Sequence, residues 1–414
     1  MDLATLSLYI CLFVSLFFEI FILITFFEVR EELERERESI GTDLKHFPTI
    51  TVIVPCFNEE LTVAKTIDSV LALDYPKDKL HIVIVDDGST DGTEKSLAKY
   101  KNHKNIEIFK KENSGKHTAL NFALGKTETE LVGCLDADSF VSPDALRRII
   151  PLFGDPKTMA VTPAIRIHDP KSVLQYVQRV EYSWGVFLRR VLASMDSLYV
   201  TPGPFSIFRT KVFKEVGGYK HAHHTEDMEM ALRLQKRGYK IANSHSAFVY
   251  TVGPATLKAL YKQRVRWTYG FLNNVIDYRE MVFNRKYGDI GMFILPIATF
   301  SIFSTIYASL NLLWTLLRKI PVHVAKYEAV GFNLGMPRLA VNWFGINTST
   351  VVWITITTVF LSLSILYFAL QLTNDKAKFG KDVFFYLTLY IFIVPFWLAK
   401  AAYSTILRQP ISWK

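Results

Sequence analysis

Cysteine is scarce in this sequence, and the glycine motifs that bind phosphate are missing. The three cysteines, Cys11, Cys56 and Cys134, form no CxxC pair, so we expect reduced core thiols and not a disulfide scaffold. Neither GxGxxG nor the Walker lysine loop occurs, which argues against a hydride-transfer enzyme or an ATPase. The net charge is +9, but no basic tract with interleaved aromatics accompanies it, so nucleic acid is not an expected partner.

Charge is almost absent from four long stretches of the chain. They cover residues 4–27, 291–317, 350–372 and 383–399, and Glu19 is the single charged residue among them. Helices of about 17–25 apolar residues match the hydrocarbon thickness of a bilayer. The sequence therefore predicts an integral membrane protein in which one helix precedes a soluble domain and three helices follow it.

Two of these stretches allow a second interpretation. The first could be a cleaved signal peptide, but no Lys or Arg precedes it and it is longer than an h-region. The fourth is short and contains Pro395, so it is a spanning helix, a re-entrant segment or an interfacial segment. Basic residues after the first stretch and before the second favour a cytoplasmic soluble domain, although the loop 318–349 is also basic.

Short β-branched runs alternate with amphipathic stretches in the soluble part. We expect strands at 49–54, 80–85, 106–109 and 130–135, and helices at 59–73, 90–100, 113–124 and 142–152. This alternation predicts an α/β domain with a mostly parallel sheet and helices on both faces. The predicted boundaries are 1–30 for the first membrane helix, 31–47 for a charged juxtamembrane helix or linker, 48–252 for the α/β domain, 253–290 for amphipathic interfacial helices, and 291–414 for the membrane bundle.

Acidic pairs follow two of the predicted strands, where ligands bind in open parallel sheets. Asp136 and Asp138 are two residues apart, so they could hold a divalent cation that keeps open positions for phosphate oxygens. Asp86 and Asp87 could accept hydrogen bonds from a base or a ribose. Both pairs are also compatible with plain polar turns or helix caps.

Three other segments carry candidate ligand-binding residues. Phe57 could stack on a base, Glu59 could reach a ribose, and Lys116 could balance phosphate charge. In the segment Thr225–Glu226–Asp227, Asp227 is placed to act as a general base or as a helix cap. The nearby His221, His223 and His224 match no common zinc spacing.

A fourth segment is the sequence QRVRW at 263–267, which lies within an amphipathic, aromatic-rich stretch at 254–283. Arg266 could pair with pyrophosphate oxygens and Trp267 could offer an apolar face to a sugar ring. The same stretch also fits an interfacial helix with snorkelling arginines and an anchoring Trp, and this interpretation is compatible with ligand binding by Arg266 and Trp267.

As a set, these motifs resemble those of the membrane-integrated family 2 glycosyltransferases, which include poly-N-acetylglucosamine, chitin-oligomer, hyaluronan and cellulose synthases. The matching segments are PCFNEE at 55–60, DDGS at 86–89, SGKHTALN at 114–121, DAD at 136–138, TED at 225–227 and QRVRW at 263–267. The resemblance covers roughly residues 48–290 and implies a GT-A type fold for the α/β domain.

The resemblance also implies a reaction and its residues. The donor would be a UDP-sugar, with UDP-N-acetylglucosamine the first expectation, and Mg²⁺ or Mn²⁺ would be held chiefly by Asp138 with Asp136 beside it. Asp227 would be the base of an inverting displacement. The remaining roles are nucleotide binding by Pro55, Phe57, Glu59, Asp86, Lys116 and Asp136, pyrophosphate binding by Gln263, Arg264 and Arg266, and acceptor binding by Trp267, Thr225, Glu226 and Gly203.

One segment departs from the family pattern. Related synthases often have Ser or Cys before the glycine of the acceptor-contacting segment, whereas Pro202 precedes Gly203 here. The sequence therefore leaves two functions open: processive synthesis of a β-linked polysaccharide, with or without translocation, and addition of single sugars to a membrane lipid or lipid-linked glycan. A sugar-binding or transport protein on a decayed catalytic fold is a third alternative. A homo-oligomer or a small accessory membrane subunit could complete a channel.

Overall fold

The computed structural model of the chain describes residues 3–31, 34, 44, 46–330, 350–373 and 380–411. Most of the predicted juxtamembrane segment 31–47 lies outside the described residues. Those residues form an α/β domain and four long apolar helices.

The α/β domain is built on one mixed sheet of eight strands within the described residues, in the order β3-β2-β1-β4-β7-β6-β8-β5. The strands are β1 Ile50–Cys56, β2 Leu80–Asp86, β3 Ile106–Lys110, β4 Leu131–Cys134, β5 Ser139–Val141, β6 Thr158–Ile167, β7 Ser206–Arg209 and β8 Lys240–Thr251. Strands β1 to β4 pair in parallel. Beyond β4 the sheet is mixed, because β7 runs antiparallel to both β4 and β6.

The four predicted strands are therefore confirmed, and the mixed half was not anticipated. The first two strands are buried over nearly their whole length, as expected of parallel strands covered on both faces. Side chains from the two faces belong to separate hydrophobic clusters. Because β1, β2 and β4 are parallel, their carboxyl ends lie at the same edge of the sheet, next to the two acidic pairs.

Helices of the soluble part are shorter than the sequence predicts. They are α2 Val63–Leu71, α3 Thr93–Leu97, α4 Lys116–Leu124, α5 Ala145–Ile149, α6 Val173–Ser194, α7 Lys211–Val216, α8 Glu226–Lys236 and α9 Leu257–Asp277. Ser142 and Pro143 predict an N-cap and a first-turn proline for the fourth helix. That cap is wrong, because Asp144 occupies the N-cap position of α5 and Ser142 instead donates its hydroxyl to Asp144 at 2.8 Å.

In the part of the chain that the structure describes, four helices are long and apolar enough to cross a membrane, by length and composition. They comprise α1 Leu3–Glu28, α10 Leu295–Val330, α11 Thr350–Thr373 and α12 Lys381–Ile406. A π-helical turn at Ile290–Ile294 leads into α10. The α12 helix continues through Pro395, so the fourth apolar stretch is a single long helix in the structure.

Helix α6 is the surface against which the apolar helices pack. Its Phe187 is fully buried, with ring centroids 4.8 Å from Phe26 of α1 and 5.9 Å from Trp184. Arg179 of α6 also forms an ion pair with Asp382 of α12 at 2.5 Å. One helix of the α/β domain thus holds both the first and the last apolar helix.

Truncating Phe187 tests this docking. Phe187→Ala removes a buried ring between α6 and α1, which typically costs about 3–5 kcal/mol, so we expect a clear fall in Tm of the detergent-purified protein. Phe13→Ala is the matched control, because Phe13 on α1 is 62% exposed. Equal Tm changes in the two variants would contradict the docking.

Candidate active site

An ammonium group, that of Lys116, is the centre of the candidate site. Lys116 begins α4, and its Nζ lies 2.6 Å from Oδ1 of Asp136 and 3.3 Å from Oε1 of Glu226. Burial alone lowers the pKa of Lys116, but the two carboxylates hold that pKa well above its usual value. The ion pairs join the end of β4 to the start of α8, which are 90 residues apart in sequence.

The segment around Gly203 closes over this ion pair. A Cβ at position 203 would lie 2.7 Å from the Lys116 ammonium and 2.8 Å from both carboxylate oxygens of Asp136, so glycine is required by close approach. Thr201 donates from its Oγ1 to the backbone carbonyl of Asp227 at 2.8 Å. Gly203 therefore lies at the nucleotide end of the predicted site, and its acceptor contact stays a prediction.

The two aspartates after β2 differ in what they bond. Asp87 is satisfied within the protein, by the Lys111 ammonium at 2.5 Å and by the backbone N–H of Gly115 at 2.9 Å. Asp86 is 2% exposed and accepts from the backbone N–H of Ser89 through Oδ1 at 2.9 Å. Its Oδ2 is buried and has no hydrogen-bond partner among the described residues, so Asp86 retains an acceptor for a ligand.

The loop after β1 faces the loop after β2. Pro55 is buried in β1 and opposes Val85 of β2, while Phe57 is 43% exposed. Asn58 adopts a left-handed φ of 56°, and its Oδ1 accepts from the backbone N–H of Thr90 at 2.8 Å. This bond joins the two strand-end loops and leaves the Phe57 ring available for stacking.

Asp138 lies near two other carboxylates, those of Asp136 and Glu59. Burial raises the pKa of Asp138 to about 7, and the negative charges of Asp136 and Glu59 act in the same direction. Ser139 donates its hydroxyl to Oδ1 of Asp138 at 3.1 Å. Burial likewise raises the pKa of Glu59. The charge of these groups is unfavourable unless a cation compensates it.

Asp227, the predicted base, lies beside Glu226 at the start of α8. Partial burial raises its pKa to about 6, and the Glu226 carboxylate adds to the effect. Burial would also raise the pKa of Glu226, but the Lys116 ammonium outweighs it and lowers that pKa. The pKa values of the two adjacent acids are thereby shifted in opposite directions. Glu226 stays ionised in its ion pair, whereas Asp227 can bind a proton closer to neutral pH.

Helix α9 holds the Thr225–Asp227 segment in place. Asn274 donates to Oγ1 of Thr225 at 2.8 Å, and a Cβ at Gly270 would lie 2.2 Å from the same oxygen. The guanidinium of Arg266 donates to the backbone carbonyl of His224 at 3.3 Å. Thr225 and Glu226 are thus engaged within the protein, and their predicted contacts with an acceptor stay predictions.

The two arginines of QRVRW have different surroundings. Arg264 forms a two-bond ion pair with Glu181 of α6, at 3.0 and 2.6 Å, donates to Gln263 at 2.5 Å, and lies 4.2 Å above the Trp267 ring. Arg266 instead experiences the charges of Asp227, Glu226, Asp136 and Asp138, which oppose the lowering of its pKa by burial. Arg264 and Gln263 are thus engaged within the protein, and the predicted pyrophosphate contacts of Gln263, Arg264 and Arg266 stay predictions.

The histidines near the site contact one another through their rings. His221 lies 5.4 Å from His117 and 4.5 Å from His224, and partial burial lowers the pKa of both neighbours. His223 pairs with Asp277 at 2.9 Å. Among the residues that the structure describes, no group of three or more His, Cys, Asp and Glu side chains could hold a metal.

Sequence reasoning missed Glu181 and Tyr390, which complete the surroundings of Arg264. The Tyr390 hydroxyl, on α12, donates to Glu181 at 2.5 Å. These residues lie 83 and 126 positions from Arg264 in the chain, and a single sequence carries no signal that pairs them. The three cysteines are free, as expected.

The fold is a GT-A-like mixed α/β sheet with one apolar helix before it and three after it. A mannosyltransferase from Pyrobaculum calidifontis, solved with GDP-Man and Mn²⁺, has a similar fold, with a TM-score of 0.57 at 18% identity. The match covers 95% of this chain and 99% of that chain. The predicted fold class is confirmed.

Residues 51–217 match the family model described as Glycosyl transferase family 2. This match confirms that this part of the chain resembles the family 2 glycosyltransferases, as its motifs indicate. A poly-beta-1,6-N-acetyl-D-glucosamine synthase of Staphylococcus aureus strain COL is 35% identical over 246 residues, which make up 59% of this chain and 58% of the relative. The synthase of the same name from Staphylococcus epidermidis is 31% identical over 250 residues, 60% of each chain. The matched region thus spans about 60% of those relatives' length.

Removing the Glu181 carboxylate tests its ion pair with Arg264. Glu181→Gln leaves the guanidinium, which is 4% exposed, without its counter-charge, and breaking such a pair typically costs about 3 kcal/mol or more. We expect a marked loss of thermal stability in detergent, partly restored in Glu181→Gln/Arg264→Met. The exposed pair of Lys110 with Glu94 is the control, and Glu94→Gln should change Tm little. An unchanged Tm in Glu181→Gln would contradict a structural role.

Proposed function

We propose that the protein is an inverting glycosyltransferase that uses a UDP-sugar and a divalent cation at the cytoplasmic face of a membrane. The observation that carries this proposal is the convergence of Asp136, Glu226 and Lys116 next to Asp227. Such an arrangement provides a charged binding region for a nucleoside diphosphate beside a group able to accept a proton. The α/β domain, at 48–252, and the helices at 253–290 would supply these residues.

The donor set fits Mg²⁺ or Mn²⁺. Both cations prefer oxygen ligands, and Mg²⁺ usually keeps waters and is held by one or two carboxylates plus substrate phosphates. Asp138, with Asp136 beside it, supplies such carboxylates, and the raised pKa of Asp138 indicates a position where positive charge is stabilising. When bound, the cation would neutralise charge on the departing diphosphate.

The nucleotide would occupy the edge of the sheet formed by β1, β2 and β4. The free Oδ2 of Asp86 can accept a hydrogen bond from the base or ribose, Glu59 can reach the ribose, and the exposed Phe57 ring can stack. Lys116 and Arg266 would face the diphosphate. Because Asp87 is bonded within the protein, we give it a supporting role.

Asp227 would remove the proton of the acceptor hydroxyl as that oxygen attacks the anomeric carbon. The bond from this carbon to the diphosphate oxygen breaks on the opposite side, so an α-linked donor gives a β-linked product. A pKa of about 6 keeps Asp227 ionised at neutral pH while leaving it basic enough to accept a proton. Trp267, fixed beneath Arg264, would line the acceptor sugar.

The names of the Staphylococcus relatives support N-acetylglucosamine as the transferred sugar and a polymer as the product. We therefore propose processive synthesis of a β-linked polysaccharide as the leading function. Addition of single sugars to a membrane lipid is the alternative, which the Pro202 departure and the presence of four apolar helices keep in consideration. Basic residues on both sides of the soluble domain support its cytoplasmic orientation.

The pH dependence of transfer tests Asp227. A base must be ionised to act, and its pKa is raised, so activity should be present above about pH 6 and fall roughly tenfold per unit below it. Asp227→Asn should lose about 10²–10⁴-fold in kcat while retaining UDP affinity. Burial lowers the pKa values of His117 and His224, so these imidazoles titrate in the same acidic direction as Asp227. His117→Asn and His224→Asn are therefore the controls, and both should keep the fall in activity at low pH. Full turnover in Asp227→Asn would remove Asp227 as the base.

The function itself is tested by UDP release from the nanodisc-reconstituted protein against a panel of UDP-sugars with Mg²⁺ or Mn²⁺, followed by sizing of the product. Release with UDP-N-acetylglucosamine and a long, glycosidase-sensitive product would support the synthase. A lipid carrying one added sugar would support the alternative. No release with any UDP-sugar under these conditions would contradict the proposed donor.

A further inference from the structure

A cavity lies among the apolar helices, apart from the candidate active site. It has a volume of about 340 Å³ and is bounded by residues of α1, α6, α10, α11 and α12. Ligand pockets in proteins span roughly 300–1,000 Å³. The cavity is therefore large enough to take part of a small molecule.

Glu19 of α1 is the one ionisable carboxyl group in the lining of this cavity. It lies nine residues before the end of α1 at Glu28, which is about 14 Å along the helix axis. At that depth an isolated carboxyl group is costly and is usually paired or functional. The other 90 residues of the four apolar stretches are uncharged, so Glu19 stands out by position and chemistry.

One of the two carboxyl oxygens of Glu19 has a hydrogen-bond partner within the protein. Its Oε1 accepts from the Ser362 hydroxyl of α11. Its Oε2 is buried from solvent and has no hydrogen-bond partner among the described residues. A buried acceptor without a partner is unfavourable, so a ligand that donates a hydrogen bond at this position would be stabilised.

The rest of the lining selects the kind of donor. Ser15, Ser301 and Tyr386 add hydroxyl groups, and Trp184 adds an indole, while the remaining walls are aliphatic or phenylalanine side chains. Among the 14 lining residues there is no Lys, Arg or His. An anionic phosphate head would meet a carboxyl group with no compensating cation, whereas an uncharged hydroxyl head would find acceptors and apolar walls together.

We propose that this cavity binds the hydroxyl-bearing head of an uncharged membrane lipid, with Glu19 Oε2 as the acceptor of its hydroxyl proton. The apolar part of the lipid would extend along the aliphatic walls between α1 and α11. Diacylglycerol and free polyprenols have this chemistry in common. Phosphatidic acid and prenyl phosphates do not.

A series of side-chain contacts runs from the cavity to Arg264 and Trp267 of α9. Tyr386 lines the cavity, and its ring lies 4.9 Å from that of Tyr390, whose hydroxyl bonds to Glu181 at 2.5 Å. Glu181 in turn binds Arg264, which lies above the Trp267 ring. These contacts connect the cavity to the helix that carries QRVRW. The binding proposal does not depend on the glycosyltransferase activity, because it concerns the cavity alone.

Photocrosslinking in nanodiscs of phosphatidylcholine, without nucleotide or metal, tests the proposal. The probes are diacylglycerol and phosphatidic acid with the same diazirine-bearing chains, which differ only in the head. We expect diacylglycerol to label the cavity-facing parts of α1 and α11 about tenfold more than phosphatidic acid does, with unlabelled polyprenol competing if it shares the site. Equal labelling by the two probes, or diacylglycerol labelling spread over the lipid-facing surface, would overturn the proposal.

Substitutions at Glu19 sharpen the test. Glu19→Leu should reduce diacylglycerol labelling about tenfold, and Glu19→Gln, which keeps an acceptor of similar size, should retain most of it. Phe13→Leu is the control on the same helix, at an exposed position. Ser362→Phe tests the site independently by filling the cavity from α11, in case Glu19→Leu does not fold. Wild-type labelling in both Glu19→Leu and Ser362→Phe variants, with unchanged Tm, would contradict the assignment.

Discussion

The contact between the Lys116 ammonium and the carboxylates of Asp136 and Glu226 connects the parts of the candidate site. It joins the parallel half of the sheet, where β4 ends, to α8, which begins the segment containing Asp227. Three acidic side chains close together repel each other unless a cation lies among them, and the Lys116 ammonium, which contacts two of them, is such a cation. Gly203 can pack against this ion pair only because it has no side chain. The same contact makes Glu226 and Asp227 unequal, which supports the proposed role of Asp227 as the base.

A second set of charges links this site to the apolar helices. Arg264 and Arg266 are two residues apart on α9, so they project from roughly opposite sides of the helix. Arg266 faces the carboxylates, whereas Arg264 is bound by Glu181 of α6 and, through it, contacts Tyr390 of α12. The α/β domain and the apolar helices are thus in contact through α6 and α9, close to the proposed acceptor position.

Much of the first half of the fold follows from the sequence, because β1 and β2 are nearly continuous β-branched runs, β3 and β4 are short runs rich in apolar residues, and both acidic pairs stand where a strand ends. The second half does not. β6 contains Pro163 and β8 is rich in polar residues, so neither has a regular pattern of alternation, and their pairing is fixed by tertiary contacts. The motifs identify the candidate residues, but not which arginine of QRVRW faces the carboxylates. Glu181 is one charged residue among several in α6, and its partner is visible only after folding.

The central claim is that the carboxylates around Lys116 form a metal-dependent site for a nucleoside diphosphate. Calorimetric titration of UDP into the purified protein, with and without Mn²⁺, tests it most directly, with Asp138→Ala beside the wild type. The account predicts that Mn²⁺ strengthens UDP binding at least tenfold in the wild type and has little effect in Asp138→Ala. Equal affinity in all four titrations, or a full Mn²⁺ effect in Asp138→Ala, would contradict it.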